Sequence, residues 1–225
     1  MEDPIRSRAA ARALRVEALC RRGADAAGVD GAGVSISVSS GSPHPLASTD
    51  ELSALVEELQ FTTGEGPCFD AVATRSPVLV GDLATKEEAV IGRWPAFLDE
   101  ALAAGIRAVF AFPLGHGATP VGTLDLYRRT PGPLVSEQLR GALLTADVVG
   151  LALVADEDLA KEDDDQGWFH MAVHRAAGMV MVQTGGAVSE ALLLMRASAY
   201  GEGIPVNDVA DDVIAGRRRY SKEKL

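Results

Sequence analysis

The chain has 225 residues, with 21 basic and 32 acidic side chains, a formal net charge of −11 and 47% hydrophobic residues. That length suits one large or two small domains, and the composition is that of a globular chain with enough apolar side chains for a packed core. Aromatic residues are only 5%, which argues against a protein that sheathes single-stranded nucleic acid by stacking bases on exposed rings.

In chain order, Ile5, Ala9, Ala13, Val16 and Cys20 recur at steps of three and four and predict an amphipathic helix over 5–22. Arg8, Arg12, Arg15 and Arg22 fall on another face, read as solvated or as a contact with RNA or an acidic segment. A glycine-containing stretch, 28–33, ends that helix, and Val34, Ile36 and Val38 alternate with serines as a half-buried strand. A loop rich in Ser, Gly and Pro follows. Asp50 is a plausible N-cap for a helix over 50–59. Gly64-Glu65-Gly66-Pro67 reads as a turn, or less simply as a backbone nest for an anion. Residues 77–80 form a short strand, and 94–104 a helix stopped by Gly105. The runs 107–114 and 120–127 are β-prone and separated by 115–119, the clearest hairpin in the chain. Antiparallel strands beside helices indicate an α+β domain.

The helical pattern over 134–155 carries two apolar stripes, Leu139, Leu143 and Ala146 on one face and Leu144, Val148, Leu151 and Val154 on another. A lone surface helix needs only one, so the second stripe suggests a dimer contact. Residues 156–167 hold seven carboxylates and read as an acidic connector. Three short helices follow over 168–183, 189–200 and 205–215, the last with Val206, Val209, Ala210, Val213 and Ile214 on one stripe. The expected organisation is therefore a sensor domain over 1–155, a connector over 156–167 and a three-helix domain over 168–225.

Charge divides at the connector. Residues 1–167 carry 14 basic and 26 acidic groups, net −12, whereas 168–225 carry 7 and 6, net +1, with Arg217, Arg218, Arg219, Lys222 and Lys224 crowded at the C-terminus. Two cysteines outside any CxxC pattern fit a reducing compartment, and no apolar signal core or membrane-length run is seen, so a cytoplasmic protein is expected.

Catalysis finds little support. The histidines, His44, His116, His170 and His174, show no metal-ligand spacing beyond the one-turn pair 170 and 174, and neither a GxSxG elbow nor a Walker loop occurs, so no enzyme activity, cofactor or metal is expected. Cys68 has no neighbouring cation to activate it, which favours a buried thiol over a redox nucleophile. Phe61, Cys68, Phe69, Trp94, Phe110 and Phe112 either line a ligand pocket or form plain core. In the C-terminal part, His174, Arg175, Arg196, Arg217, Arg218, Arg219 and Tyr220 are the candidate nucleic-acid contacts, cations for phosphates and rings for unpaired bases. A helix-turn-helix reader of DNA is a poorer fit, because the third helix carries Asp208, Asp211 and Asp212 and no cation before Arg217.

The stretch 173–183 (VHRAAGMVMVQ), with Glu190-Ala191-Leu192, Leu194-Met195-Arg196-Ala197 and 209–213 (VADDV), resembles the ANTAR family of RNA-binding antitermination domains. Gln60, Gly64-Glu65-Gly66-Pro67-Cys68, Asp82-Leu83, Arg93-Trp94-Pro95, 110–114 (FAFPL) and 122–128 (GTLDLYR) resemble the GAF sensor domain joined to ANTAR in actinobacterial regulators. The resemblance implies an antiparallel sheet flanked by helices, followed by a three-helix module that binds paired RNA hairpin loops as a homodimer and prevents terminator formation. A small-molecule signal would act on the sensor. Arg175 stands where the family is expected to have glutamine. The alternatives are a DNA-binding regulator using the same helices and a GAF-like redox enzyme using Cys68.

Overall fold

The computed structural model describes residues 4–37, 43–85, 92–115, 120–155 and 171–221, with side chains from residue 11 onward except that of Met171. The chain divides into two compact units, Met1–Phe61 with Glu65–Asp164, and Thr62–Gly64 with Asp165–Leu225.

In the first unit the order is α1 (Pro4–Ala27), β1 (Gly31–Ser37), β2 (Pro43–Ser48), α2 (Glu51–Thr63), α3 (Pro67–Thr74), β3 (Val78–Val80), α4 (Pro95–Ala103), β4 (Ala108–Leu114), β5 (Gly122–Arg128) and α5 (Ser136–Val154). The strands form one antiparallel sheet in the order β2-β1-β5-β4-β3. Helices cover both faces. Ala32, Val34, Ile36, Phe110, Phe112, Leu124 and Leu126 pack with Val16 and Cys20 of α1 and with Ala146, Val149 and Leu153 of α5. The alternate residues Val78, Val80, Val109, Ala111 and Tyr127 pack with Val56 of α2, Ala71 of α3, Phe97 and Leu98 of α4, and Trp94.

Double coverage explains where the structure departs from the sequence reading. β1 is buried on both sides rather than half-buried, because its serine side meets α2: Ser35 is 2% exposed. The segment read as a Ser/Gly/Pro loop contains β2. Its prolines, Pro43 and Pro45, sit in an edge strand, where a missing N–H need not interrupt a ladder on both sides. The turn at 64–67 opens directly into α3, with Pro67 in its first turn, where no N–H is required, and Arg75 closing it at φ 54°. α1 runs five residues past the predicted end, and Arg12 on its arginine face is buried while Arg15 and Arg22 are exposed. Val38, the turn 116–119 with His116, the connector 156–167 and His170 lie outside the described residues.

Local chemistry sets the element ends. Asp50 accepts the Ser53 N–H at 2.8 Å and so caps α2, as its position predicts. Gln138 reaches back to the Val135 N–H at 3.0 Å at the start of α5. Gly105 turns the chain at φ 84° between α4 and β4. Of the two stripes on α5, Ala146 faces the sheet, but Leu143 does not: it is exposed, as are Leu144, Val148, Leu151 and Val154.

The second unit contains α6 (Met171–Thr184), α7 (Val188–Glu202) and α8 (Val206–Ile214). α6 and α7 turn through 107° at the Gly185-Gly186 break. Val173, Ala176, Ala177, Val180, Ala191, Met195, Ala199, Val206, Val209, Ala210 and Val213 are buried, and the alanines let the three axes approach closely. Among the described residues no single helix is long and apolar enough to cross a membrane.

Gly122 faces β1 so closely that a Cβ there would stand 2.1 Å from the Ser35 carbonyl oxygen. Gly122→Ala is therefore expected to destabilise the first unit by about 2–3 kcal/mol in urea unfolding. Gly178→Ala, where open space surrounds the new methyl, is expected to be neutral or mildly stabilising.

Candidate functional site

The aromatic candidates of the first unit do not converge. Phe61, Cys68 and Trp94 are buried on the side of α2, α3 and α4, and Phe69 is half-buried, whereas Phe110 and Phe112 point to the opposite face under α1 and α5. Strand alternation separates them, so these six residues do not line one pocket. Trp94 is held by its Nε1–H donating to Asp70 at 3.0 Å, while the Arg93 guanidinium binds the same carboxylate at 2.6 Å and lies 4.8 Å over the indole. Glu65 accepts the Ala96 and Phe97 N–H groups at 2.6 and 3.1 Å, so the 64–67 turn supplies a carboxylate that caps α4.

What does converge between α2 and the sheet is polar. Ser53, Glu57 and Gln60 lie on the buried side of α2, and Ser35, Thr123 and Asp125 on the facing strands β1 and β5. Glu57 is 1% and Asp125 5% exposed. Ser35 donates to Glu57 Oε2, and Thr123 donates to Asp125 Oδ2 at 3.1 Å. Gln60 Oε1 accepts the Cys68 N–H at 2.8 Å, leaving the amide nitrogen to face Asp125. Two glycines make room. A Cβ on Gly33 would lie 2.4 Å from Glu57 Oε1, and one on Gly66 would lie 2.7 Å from the Gln60 side chain.

Burial dominates the electrostatics here, because a carboxylate that leaves water loses solvation worth several kcal/mol. It pushes Asp125 up to about 7, against the neighbouring Glu57, Thr123 and Gln60 side chains, which favour its charged form. Glu57 is raised well above the usual carboxylate range, by burial first and then by the charge of Asp125. The thiols follow: burial, reinforced by these carboxyls, pushes Cys20 up to about 12 and Cys68 well up. Sequence reasoning missed Glu57 and gave Asp125 no role. The signal was present, as a Ser53, Glu57, Gln60 row at helical spacing and a lone acid inside an apolar strand.

In the second unit His174 on α6 lies beside Arg196 on α7, and its basicity is lowered by burial first and by that cation second. Arg175 is exposed. The basic tail is largely engaged within the unit. Arg218 binds Glu202 with both terminal nitrogens at 2.6 Å, Arg217 binds Asp212 at 2.7 Å while remaining exposed, and Arg219 is exposed with no carboxylate contact among the described residues. Tyr220 donates its N–H to Gln183 and its hydroxyl to Ser198, both at 2.8 Å. The structure thus pairs His174 with Arg196 but makes Arg218 and Tyr220 a strap over α6 and α7. Among the described residues no group of three His, Cys, Asp or Glu is placed to hold a metal.

The sheet order, its two helical layers and a chain boundary after α5 agree with the comparison that decides the family: residues 13–154 match the model of the GAF domain. The chain belongs to the GAF family. Its GAF domain is similar to a domain assigned to a two-component sensor histidine kinase from Sinorhizobium meliloti 1021, at 17% identity and TM-score 0.52 over 66% of this chain and 96% of that one. It is also similar to the GAF domain region of a Geobacter sulfurreducens PCA protein described as a membrane protein, at 15% identity and TM-score 0.53 over 68% and 99%. At these identities the likeness establishes the fold. No curated protein matches the chain.

Because Cys20 and Cys68 are both buried in the GAF domain, with thiols held in the neutral form, neither is expected to react with a thiol reagent in the native protein at pH 8. Two equivalents should react after denaturation. Rapid native labelling of Cys68 would favour the redox-nucleophile alternative.

Proposed function

We propose that this protein is an RNA-binding regulator in which the GAF domain acts as sensor and the second unit is an ANTAR-type antitermination module. The observation that carries the reading is the charge layout of the separate three-helix unit. Arg175 and Arg219 are exposed and His174 adjoins Arg196, while α8 exposes Asp208 and Asp211. A helix-turn-helix protein would press that third helix into the major groove, where carboxylates oppose phosphates. Contact through α6, α7 and the tail avoids this, and an unpaired base can stack on an imidazole.

A module of net charge +1 has little sequence-independent affinity, so two modules held together gain most from engaging paired hairpin loops at once. The exposed row Leu144, Val148 and Leu151 on α5 supports a second copy of this chain as partner. The signal acts on the GAF domain and alters whether two modules engage together; the site of action is the cytoplasm and the protein itself performs no chemistry.

Two outcomes are expected. In mobility-shift titrations the full chain should prefer an RNA with two adjacent hairpins over duplex DNA, the preference should persist as salt is raised, and Arg175→Ala or Arg219→Ala should each weaken binding roughly tenfold. Equal affinity for both nucleic acids, lost together in salt, would refute RNA recognition. By light scattering at micromolar concentration the native chain should be a dimer and Leu144→Asp/Leu151→Asp a monomer. A monomeric native chain would sink the avidity argument.

A further inference from the structure

The GAF domain buries two carboxyls against each other between α2 and the central strand β5, and the proposed RNA binding does not use them. Glu57 Oε1 and Asp125 Oδ1 are fully buried and have no hydrogen-bond partner among the described residues, although each carboxyl receives a hydroxyl on its other oxygen. The Gln60 amide nitrogen, also without a partner, faces Asp125 and can serve only that carboxyl; the neighbouring Glu57 oxygen is still one donor short, and a proton between the two carboxyls supplies it. The surroundings are shaped for the pair. Gly33 on β1 is flat against the Glu57 carboxyl and Gly66 against Gln60, so neither side chain can be displaced by a neighbour's Cβ.

We propose that Glu57 and Asp125 form a proton-binding site, in which one proton is shared between the two carboxyls and a second, taken up on mild acidification, is an input that the GAF domain reads. The first proton resides on Glu57, which donates to Asp125; Thr123 and Gln60 favour the charged form of Asp125 and not of Glu57. The second proton comes from solvent onto Asp125 and removes the last charge between α2 and β5. The groups that act on the pair are Ser35 of β1, Thr123 of β5 and Gln60 of α2. The thiols of Cys68 on α3 and Cys20 on α1 feel both carboxyls, and Glu17 of α1 adjoins Cys20. His44 of β2 packs with its ring tilted 47° to that of Phe61, the residue after Gln60, at 5.3 Å between centroids. β5 gives the event a route across the sheet, since Leu124 and Leu126 on either side of Asp125 pack on the opposite face with α1 and α5.

The sign of the effect follows from linkage. Both carboxyls titrate higher in the folded than in the unfolded chain, so their stabilisation is complete below the ordinary carboxylate range; the part due to Asp125 is lost as pH rises through about 7, and the part due to Glu57 only where its own proton, held well above the usual carboxylate range, leaves. Each proton held by the folded state alone changes the folding constant by up to tenfold per pH unit.

The test uses the full chain. Urea unfolding between pH 6 and 8, followed by a GAF-domain tryptophan signal, should show stability falling with pH. The fall should exceed that of Glu57→Gln/Asp125→Asn by tenfold or more in folding constant per pH unit near pH 6. Because that variant could misfold, infrared difference spectra of the native chain provide a second reading. A buried protonated-carboxyl band should be present at pH 6 and weaken with a midpoint near about 7, without vanishing. Equal pH slopes in both proteins, or no such band at pH 6, would overturn the proposal, and neither result bears on RNA binding.

Discussion

The central strand β5 has to bury both of its faces, and most of the GAF domain can be read as the consequence. One face, Leu124 and Leu126, is apolar and closes against α1 and α5. The other, Thr123, Asp125 and Tyr127, carries polar atoms into the interior, where each must find a partner or lose several kcal/mol of solvation. The polar side of α2 supplies those partners. Ser35, which strand alternation alone would place toward solvent, donates to Glu57, and Gln60 joins the cluster to the start of α3 through Cys68. Tyr127 reaches outward to Asp50, the residue that caps α2, at 3.0 Å. The same strand thereby locates both ends of the helix above it.

This arrangement activates neither cysteine. Desolvation and two nearby acids act on Cys68 in the same direction, holding its proton, so the thiol that stands after the Gly64–Pro67 turn serves as packing. The turn's own acid, Glu65, is occupied in capping α4. What the domain does concentrate here is a pair of buried carboxyls that no motif marked.

The second unit shows a similar redistribution. Arg217, Arg218 and Tyr220 look in sequence like a free basic tail, yet the first two meet Asp212 and Glu202, and the tyrosine bonds to both α6 and α7. A bidentate arginine is a geometric clamp as well as a charge, which suits a strap. Arg175, Arg217 and Arg219 remain exposed.

Periodicity in the sequence was enough for α1, α2, α4, α5, the β4–β5 hairpin and the three C-terminal helices, because each carries an apolar stripe or alternation with a Gly or Asp stop that depends only on neighbours in the chain. The resemblance of its motifs pointed to the GAF segment, and a count of charges gave the boundary before the second unit. β2 and α3 escaped periodicity because proline and glycine, which punctuate loops, are equally at home in an edge strand and a first helical turn. What only the tertiary structure decided is which face each residue serves. Two layers of helices sort Phe110 from Phe61, bury Ser35, and bring Glu57 and Asp125, 68 residues apart by number, into contact. Meetings of that kind arise from sheet order and strand pleat, which local spacing does not encode.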